Sequence, residues 1–213
     1  MLQKLNLIDT LLDEIQHGLK TCQLRPFTDA RPYPGSDIEE TPLSDSEQQH
    51  AAGLMRINNA GEVAAQGLYR GQAFSARDPK TSDTMRAAAE EENEHLNWCL
   101  QRLSELEGNR SKLDGLWYLG SFAIGSVAGA IGDQWSLGFV EETEIQVSDH
   151  LDSHLKKLPE QDLRSRAVLN TMKADEMRHA IEAHEAGAAK LPSLVKRTMG
   201  LTSKFMTFAA YRL

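Results

Sequence analysis

Two stretches of this 213-residue chain place a glutamate and a histidine inside an apolar helical stripe, and this placement constrains the fold most strongly. Met85, Ala88, Glu92, His95, Leu96 and Cys99 recur at steps of mostly three or four residues, as do Val168, Met172, Glu176, His179, Ala183 and Ala186. On a helix such positions share the face turned to the core. A buried carboxylate without a partner costs on the order of several kcal/mol, so other helices must supply partners for Glu92 and Glu176.

The rest of the chain has the same period. Leu5, Ile8, Leu12, Ile15 and Leu19 predict an amphipathic helix over residues 2–22. Pro26, Pro32, Pro34 and Pro42 make residues 24–43 a linker or a surface-hugging arm. Ser44 and Glu47 form a capping-box signature for a helix running to Arg77, before Asp78-Pro79. Further helices are expected from Ser82 to Glu107, from Gln134 to just before Pro159, from Pro159 to about Ala189, and from Leu194 to Tyr211. No stretch alternates with the period of two that a half-buried strand needs. The class is all-α: a four-helix bundle over residues 46–213 with a short C-terminal helix, preceded by an N-terminal arm, residues 1–45.

Glu-x-x-His occurs four times, so the motif carries meaning only where its face looks into a bundle. Glu14 and His17 lie opposite the Leu/Ile stripe of their helix and are expected to face water. Glu47 is accounted for as a cap partner. His50 stands twelve residues before Glu62, about 18 Å along a helix, too far to share an ion with it. The pairs Glu92/His95 and Glu176/His179 remain.

A third helix carries Glu144 in the stripe Val140, Glu144, Val147, Leu151, with Glu141 one turn earlier as a rival. A fourth offers Glu62 in N-N-A-G-E-V-A-A, about 100° off its own apolar stripe and flanked by small residues that would admit a neighbouring helix. One glutamate from each of two helices and one Glu-x-x-His from each of two others is the ligand pattern of ferritin-like di-iron or di-manganese bundles. Oxygen ligands with imidazole and no thiolate suit iron or manganese better than structural zinc. A buried salt-bridge network is the competing account. Glu90, Glu91 and Glu94 lie off the stripe and read as solvated. Asp175 fits equally a partner for the outer nitrogen of a ligand histidine and a surface acid. His150 is a candidate substrate contact, whereas His154 reads as a satisfied helix-end histidine.

The formal charge of −8 argues against nucleic acid as a partner, because phosphate binding needs a basic stripe and the sequence shows none. Cys22 and Cys99 are too few for a disulfide framework and point to a reducing compartment. The N-terminus lacks the pattern of a signal peptide, so the chain is expected to stay inside the cell. Residues 115–132 carry no formal charge and five glycines. They read as a buried crossover, a segment that touches membrane or lines an apolar ligand, or a minimal membrane span.

The segments R-I-N-N-A-G-E-V-A-A-Q-G-L-Y-R-G-Q, E-E-N-E-H-L, V-E-E-T-E-I-Q-V-S-D-H-L and K-A-D-E-M-R-H-A occur in order and resemble the bacterial demethoxyubiquinone hydroxylases of ubiquinone biosynthesis. The resemblance covers about residues 50–213. It implies Glu62 and Glu144 as terminal metal ligands, Glu92 and Glu176 as bridging ligands, and His95 and His179 as nitrogen ligands. Two iron ions per subunit are implied, with manganese or another divalent metal able to replace them on isolation. The implied reaction hydroxylates a polyprenylated methoxy-methyl-benzoquinol with O2. Membrane lipid and other ubiquinone-biosynthesis proteins are implied partners, and the implied location is peripheral, on the cytoplasmic face of the inner membrane, through residues 115–132 and the C-terminal helix. The alternatives are a di-iron hydroxylase of a tRNA base and an iron-storage or peroxide-scavenging protein. Acidity and the uncharged segment oppose the first; the second would need cage assembly or a cysteine-rich module, and two cysteines cannot build that module.

Overall fold

A computed structural model describes residues 7–22 and 31–213 of the chain. The described residues form seven helices and no strand: α1 (Leu7–Thr21), α2 (Asp45–Ser75), α3 (Pro79–Glu105), α4 (Asp114–Ile131), α5 (Asp133–Leu155), α6 (Leu163–Glu185) and α7 (Ser193–Ala210). Residues 2–6 of the expected first helix and 24–30 of the expected linker lie outside the described residues; 31–43 contain no helix.

Helix ends follow local chemistry. The capping box at Ser44 closes in both directions, with the Glu47 carboxylate accepting from the Ser44 amide at 2.9 Å. Helix α3 starts at Pro79 rather than Ser82, because proline is tolerated in a first turn and Asp78 accepts the Lys80 amide at 3.2 Å. Helix α6 starts at Leu163 rather than Pro159, because Asp162 caps it through the Ser165 amide at 3.0 Å. It stops at Glu185, short of Ala189, where Gly187 takes a left-handed φ of 99°.

Helices α2, α3, α5 and α6 make the bundle, α2 lying along α3 and α5 along α6. Met55, Trp98, Leu103, Leu169 and Met172 belong to the largest buried cluster, and Tyr69, Met85 and Val140 to a second. The metal-ligand candidates stand on all four of these helices.

All of residues 115–132 but Gly132 lie in helix α4, laid against α2, and no helix among the described residues is long and apolar enough to cross a membrane. Glycines disfavour this helix in isolation but permit it here: a Cβ on Gly125 would stand 2.1 Å from the Leu68 carbonyl oxygen, and one on Gly71 2.2 Å from that of Phe122. Backbone approaches backbone at Gly67, Gly71 and Gly125. The outer face of α4 stays apolar, with Leu116, Leu119, Val127 and Ile131 exposed.

Helix α1 overturns the expected orientation of its polar face. Glu14 is 3 % exposed, whereas Leu12, Ile15 and Leu19 point outward. Arg70 on α2 is buried and needs a counterion; its Nε donates to Glu14 at 2.7 Å, and Arg86 adds a second contact. His17 Nε2 reaches Gln66 Oε1 at 3.1 Å. The polar side of α1 therefore docks, and its leucine side is left outside.

Candidate metal centre

All six predicted ligand residues are buried and meet in the middle of the bundle, Glu62 from α2, Glu92 and His95 from α3, Glu144 from α5, and Glu176 and His179 from α6. They form two overlapping groups, Glu62/Glu92/His95/Glu176 and Glu92/Glu144/Glu176/His179, each with one ligand atom per residue within 4.8 Å of the others. Glu92 and Glu176 belong to both groups. Glu141 points elsewhere and accepts from His184 Nδ1 at 3.1 Å.

Both histidines present Nδ1 inward. His95 Nδ1 stands 2.7 Å from Glu92 and 3.2 Å from Glu176, and His179 Nδ1 stands 3.1 Å from Glu92. These short distances do not close hydrogen bonds: both Glu92 oxygens, Glu144 Oε1 and both Nδ1 atoms are buried without a hydrogen-bond partner. A salt-bridge network leaves such atoms unsatisfied, while a cation takes all their lone pairs at once.

The electrostatics lead to the same conclusion. Burial, reinforced by the charges of Glu176 and Glu92, pushes the Glu62 carboxyl well above the usual range; burial and Glu176 do the same to Glu144. Burial opposes ionisation of Glu92 and Glu176 too, but the histidines outweigh it, holding Glu92 low and Glu176 at about 2. Burial would lower both imidazoles, yet the carboxylates drive His95 well up and His179 up to about 11. Two divalent cations against four carboxylates and two neutral imidazoles give zero net charge, so the donor set fits a pair of such ions.

The outer nitrogens are held as well. Nε2 of His95 donates to Asp175 at 3.0 Å, and Nε2 of His179 donates to Glu91 at 2.9 Å. Each bond fixes the tautomer that leaves Nδ1 free to bind a cation. Glu91 is therefore not merely solvated, and neither is Glu94, which pairs with Arg31. Glu90 is exposed, as its position off the stripe implies. The legible signal for Glu91 was symmetry: an acid precedes the glutamate in both motifs, Glu91-Glu92-x-x-His95 and Asp175-Glu176-x-x-His179. Nothing local in the sequence marks Arg31.

An apolar cavity of about 360 Å³ adjoins the cluster, lined by Glu62 and His150 among others, with residues of α4 and α7 also in its wall. The small residues around Glu62 divide: Ala60 is fully buried in the core between helices, while Gly61, Ala64 and Ala65 line this cavity, and a Cβ on Gly61 would meet nothing within 4 Å. His150 is held to about 4 by burial and by the charge of Lys157, and its Nε2 is buried without a hydrogen-bond partner. His154 is a satisfied buried histidine, with Nδ1 2.8 Å from Asn58 Oδ1 and its ring edge-on to His150.

Four helices around four buried glutamates and two histidines define the class: an all-α bundle of the ferritin-like kind whose cluster is compatible with a metal site. The family model of ubiquinone biosynthesis protein COQ7 matches residues 49–210. Curated relatives named 3-demethoxyubiquinol 3-hydroxylase align nearly end to end. That of Chromobacterium violaceum is 51 % identical over 206 residues, covering 97 % of this chain and 100 % of its own. That of Xanthomonas campestris pv. campestris is 54 % identical over 205 residues, covering 96 % and 94 %. The chain belongs to the COQ7 family of ubiquinone biosynthesis proteins.

Proposed function

We propose that this chain is a di-iron monooxygenase that hydroxylates the ring of 2-polyprenyl-3-methyl-6-methoxy-1,4-benzoquinol with O2. The observation that carries the reading is an apolar cavity walled by residues of α2, α4, α5 and α7 that reaches Glu62 of the buried carboxylate-histidine cluster. Glu62 and His95 would hold one iron and Glu144 and His179 the other, with Glu92 and Glu176, which belong to both groups, available to each. When bound, the iron pair supplies the activation of O2 that the hydroxylation requires.

The protein's own residues do the rest. Ile57, Leu68, Phe139 and Met206 are among those that keep the cavity apolar, so a ring enters and bulk water is excluded. His150, neutral at physiological pH, offers an unused nitrogen to a quinol hydroxyl beside the cluster. An isoprenoid tail leaves between α4 and α7, whose outer faces expose Leu119, Val127, Phe205 and Phe208. These apolar faces support peripheral attachment to the cytoplasmic side of the inner membrane.

Anaerobic loading of the full chain with Fe(II), followed by metal analysis and conversion of a short-tailed demethoxyquinol, tests the reading. The expected result is two irons per chain and a hydroxylated product, both lost in Glu92→Ala. Wild-type protein that takes up no iron, or iron-loaded protein that leaves the quinol unchanged, would overturn it.

A further inference from the structure

The surroundings of the two histidines follow one plan with one part missing. In the α6 motif Asp175-Glu176-Met177-Arg178-His179, Asp175 serves His95 across the bundle; in the α3 motif Glu91-Glu92-Asn93-Glu94-His95, Glu91 serves His179. Glu91 is itself steadied by Arg178, whose Nη2 donates to it at 3.0 Å. The position that corresponds to Arg178 in the α3 motif is occupied by Glu94. A glutamate there repels Asp175 and cannot steady it.

Asp175 is steadied nonetheless. Arg31, from the segment ahead of α2, donates to both of its oxygens, at 3.2 and 2.8 Å, in the two-pronged geometry that only a guanidinium provides. The same side chain pairs with Glu94 and lies over the Trp98 ring, 4.8 Å from its centroid. We propose that Arg31 is a positioning residue for the His95 half of the centre: the N-terminal segment inserts the guanidinium that α3 lacks at position 94. Arg31 fixes Asp175, and Asp175 fixes the His95 ring with Nδ1 turned inward. The arm lies ahead of residues 49–210, the part that the family model matches.

The two halves are consequently unequal. The Arg178–Glu91 pair is half in water, its side chains 44 % and 50 % exposed, so solvent can replace it. Asp175 is 13 % exposed, so removing Arg31 leaves a largely buried carboxylate facing Glu94 with only the more distant Arg178 Nη2, at 3.7 Å, as a cation. Docking of the arm and loading of one metal site are thereby coupled.

This inference rests on reading the cluster as a two-metal centre, and cobalt(II) titrated into the full metal-free chain, followed by absorption and calorimetry, separates the two claims. Wild-type protein is expected to bind two cobalt ions. Arg31→Ala is expected to weaken one step about tenfold, the low end of the effect of outer-shell partners on metal affinity, and to leave the other unchanged. Adding Glu94→Arg, which restores the guanidinium from α3 itself, is expected to recover the weakened step. Arg31→Lys keeps the charge without the two-pronged grip and is expected to weaken the same step less; it carries the test if Arg31→Ala does not fold. Two unchanged steps, two equally weakened steps, or no recovery in the double variant would overturn the role of Arg31 while leaving the metal centre standing. No cobalt uptake by wild-type protein would overturn both.

Discussion

Replacing Gly125 with alanine sets two physical effects of opposite sign against each other. Considered as a helix position alone, glycine to alanine stabilises by about 1 kcal/mol. In the folded protein the new Cβ would lie 2.1 Å from the Leu68 carbonyl oxygen and 3.1 Å from the Gln72 amide nitrogen. Ordinary contact begins near 3.4 Å, so α4 must retreat from α2 by about 1.3 Å, and the obstacle is backbone with no rotamer to move. Overpacking of this kind costs typically about 1–3 kcal/mol, and here it falls at the upper end or beyond because Gly71 and Gly129 lose their fit at the same time. The net expectation is a loss of about 2 kcal/mol, or a fall of about 4–8 °C in melting temperature for a domain of this size. Gly120, on the same helix, is the internal control: it is exposed, and a Cβ there meets nothing within 4 Å. Gly120→Ala should therefore raise the melting temperature by about 2–4 °C. Thermal unfolding followed by circular dichroism on the three proteins decides the matter. A Gly125→Ala protein that melts at or above wild type would refute the packing argument. Since Ser121 and Ile124 of α4 also line the cavity beside Glu62, the same substitution should lower quinol turnover more than metal content.

Two further outcomes follow from the structure. His150 and His154 are held to about 4 and about 2, chiefly by burial, against about 6.5 in an unfolded chain. Their folded values are depressed, so as pH falls below about 6.5 the unfolded chain takes up protons that the folded protein refuses, and stability drops, through His150 until about pH 4 and through His154 until about pH 2. His150 alone accounts for on the order of 3 kcal/mol over that window. Chemical denaturation at pH 7 and pH 4 should show His150→Gln gaining on wild type by that order, and parallel pH profiles would contradict the assignment. The apolar outer faces of α4 and α7 should bind lipid: Leu119→Glu combined with Phe205→Glu is expected to abolish salt-resistant sedimentation with anionic vesicles while metal content stays at the wild-type level. Undiminished sedimentation would remove the support for membrane attachment through these faces.

Much of this protein is legible from local chemistry. The period of 3.6 and the capping box at Ser44 set the class and the start of α2, because they depend on neighbours three or four residues away, whereas Asp78-Pro79 marks the end of α2 and only the structure shows it capping α3 as well. Glu92, His95, Glu176 and His179 stand out for the same reason: each interrupts an apolar stripe, and a buried charge demands a partner wherever the chain finds one. Even Glu91 and Asp175 carry a trace, since each precedes a ligand candidate in a repeated motif.

Only the tertiary structure decided the rest, because there the relevant neighbour lies far away in sequence. Helix α1 has a leucine stripe that by itself predicts burial, yet Arg70 on α2 takes Glu14 and turns the polar face inward; a buried guanidinium outweighs a few leucines. The glycine-rich segment 115–132 becomes a helix because α2 supplies a matching glycine row, which no window on that segment alone contains. Gly61, Ala64 and Ala65 could have admitted either a helix or a ligand, and the course of α4 and α7 leaves the space to a cavity. Arg31 occupies the gap at Glu94 from sixty-three residues upstream, and its contact with Asp175 spans 144. Periodicity reports which face is apolar; which charge that face meets is set by how the helices pack.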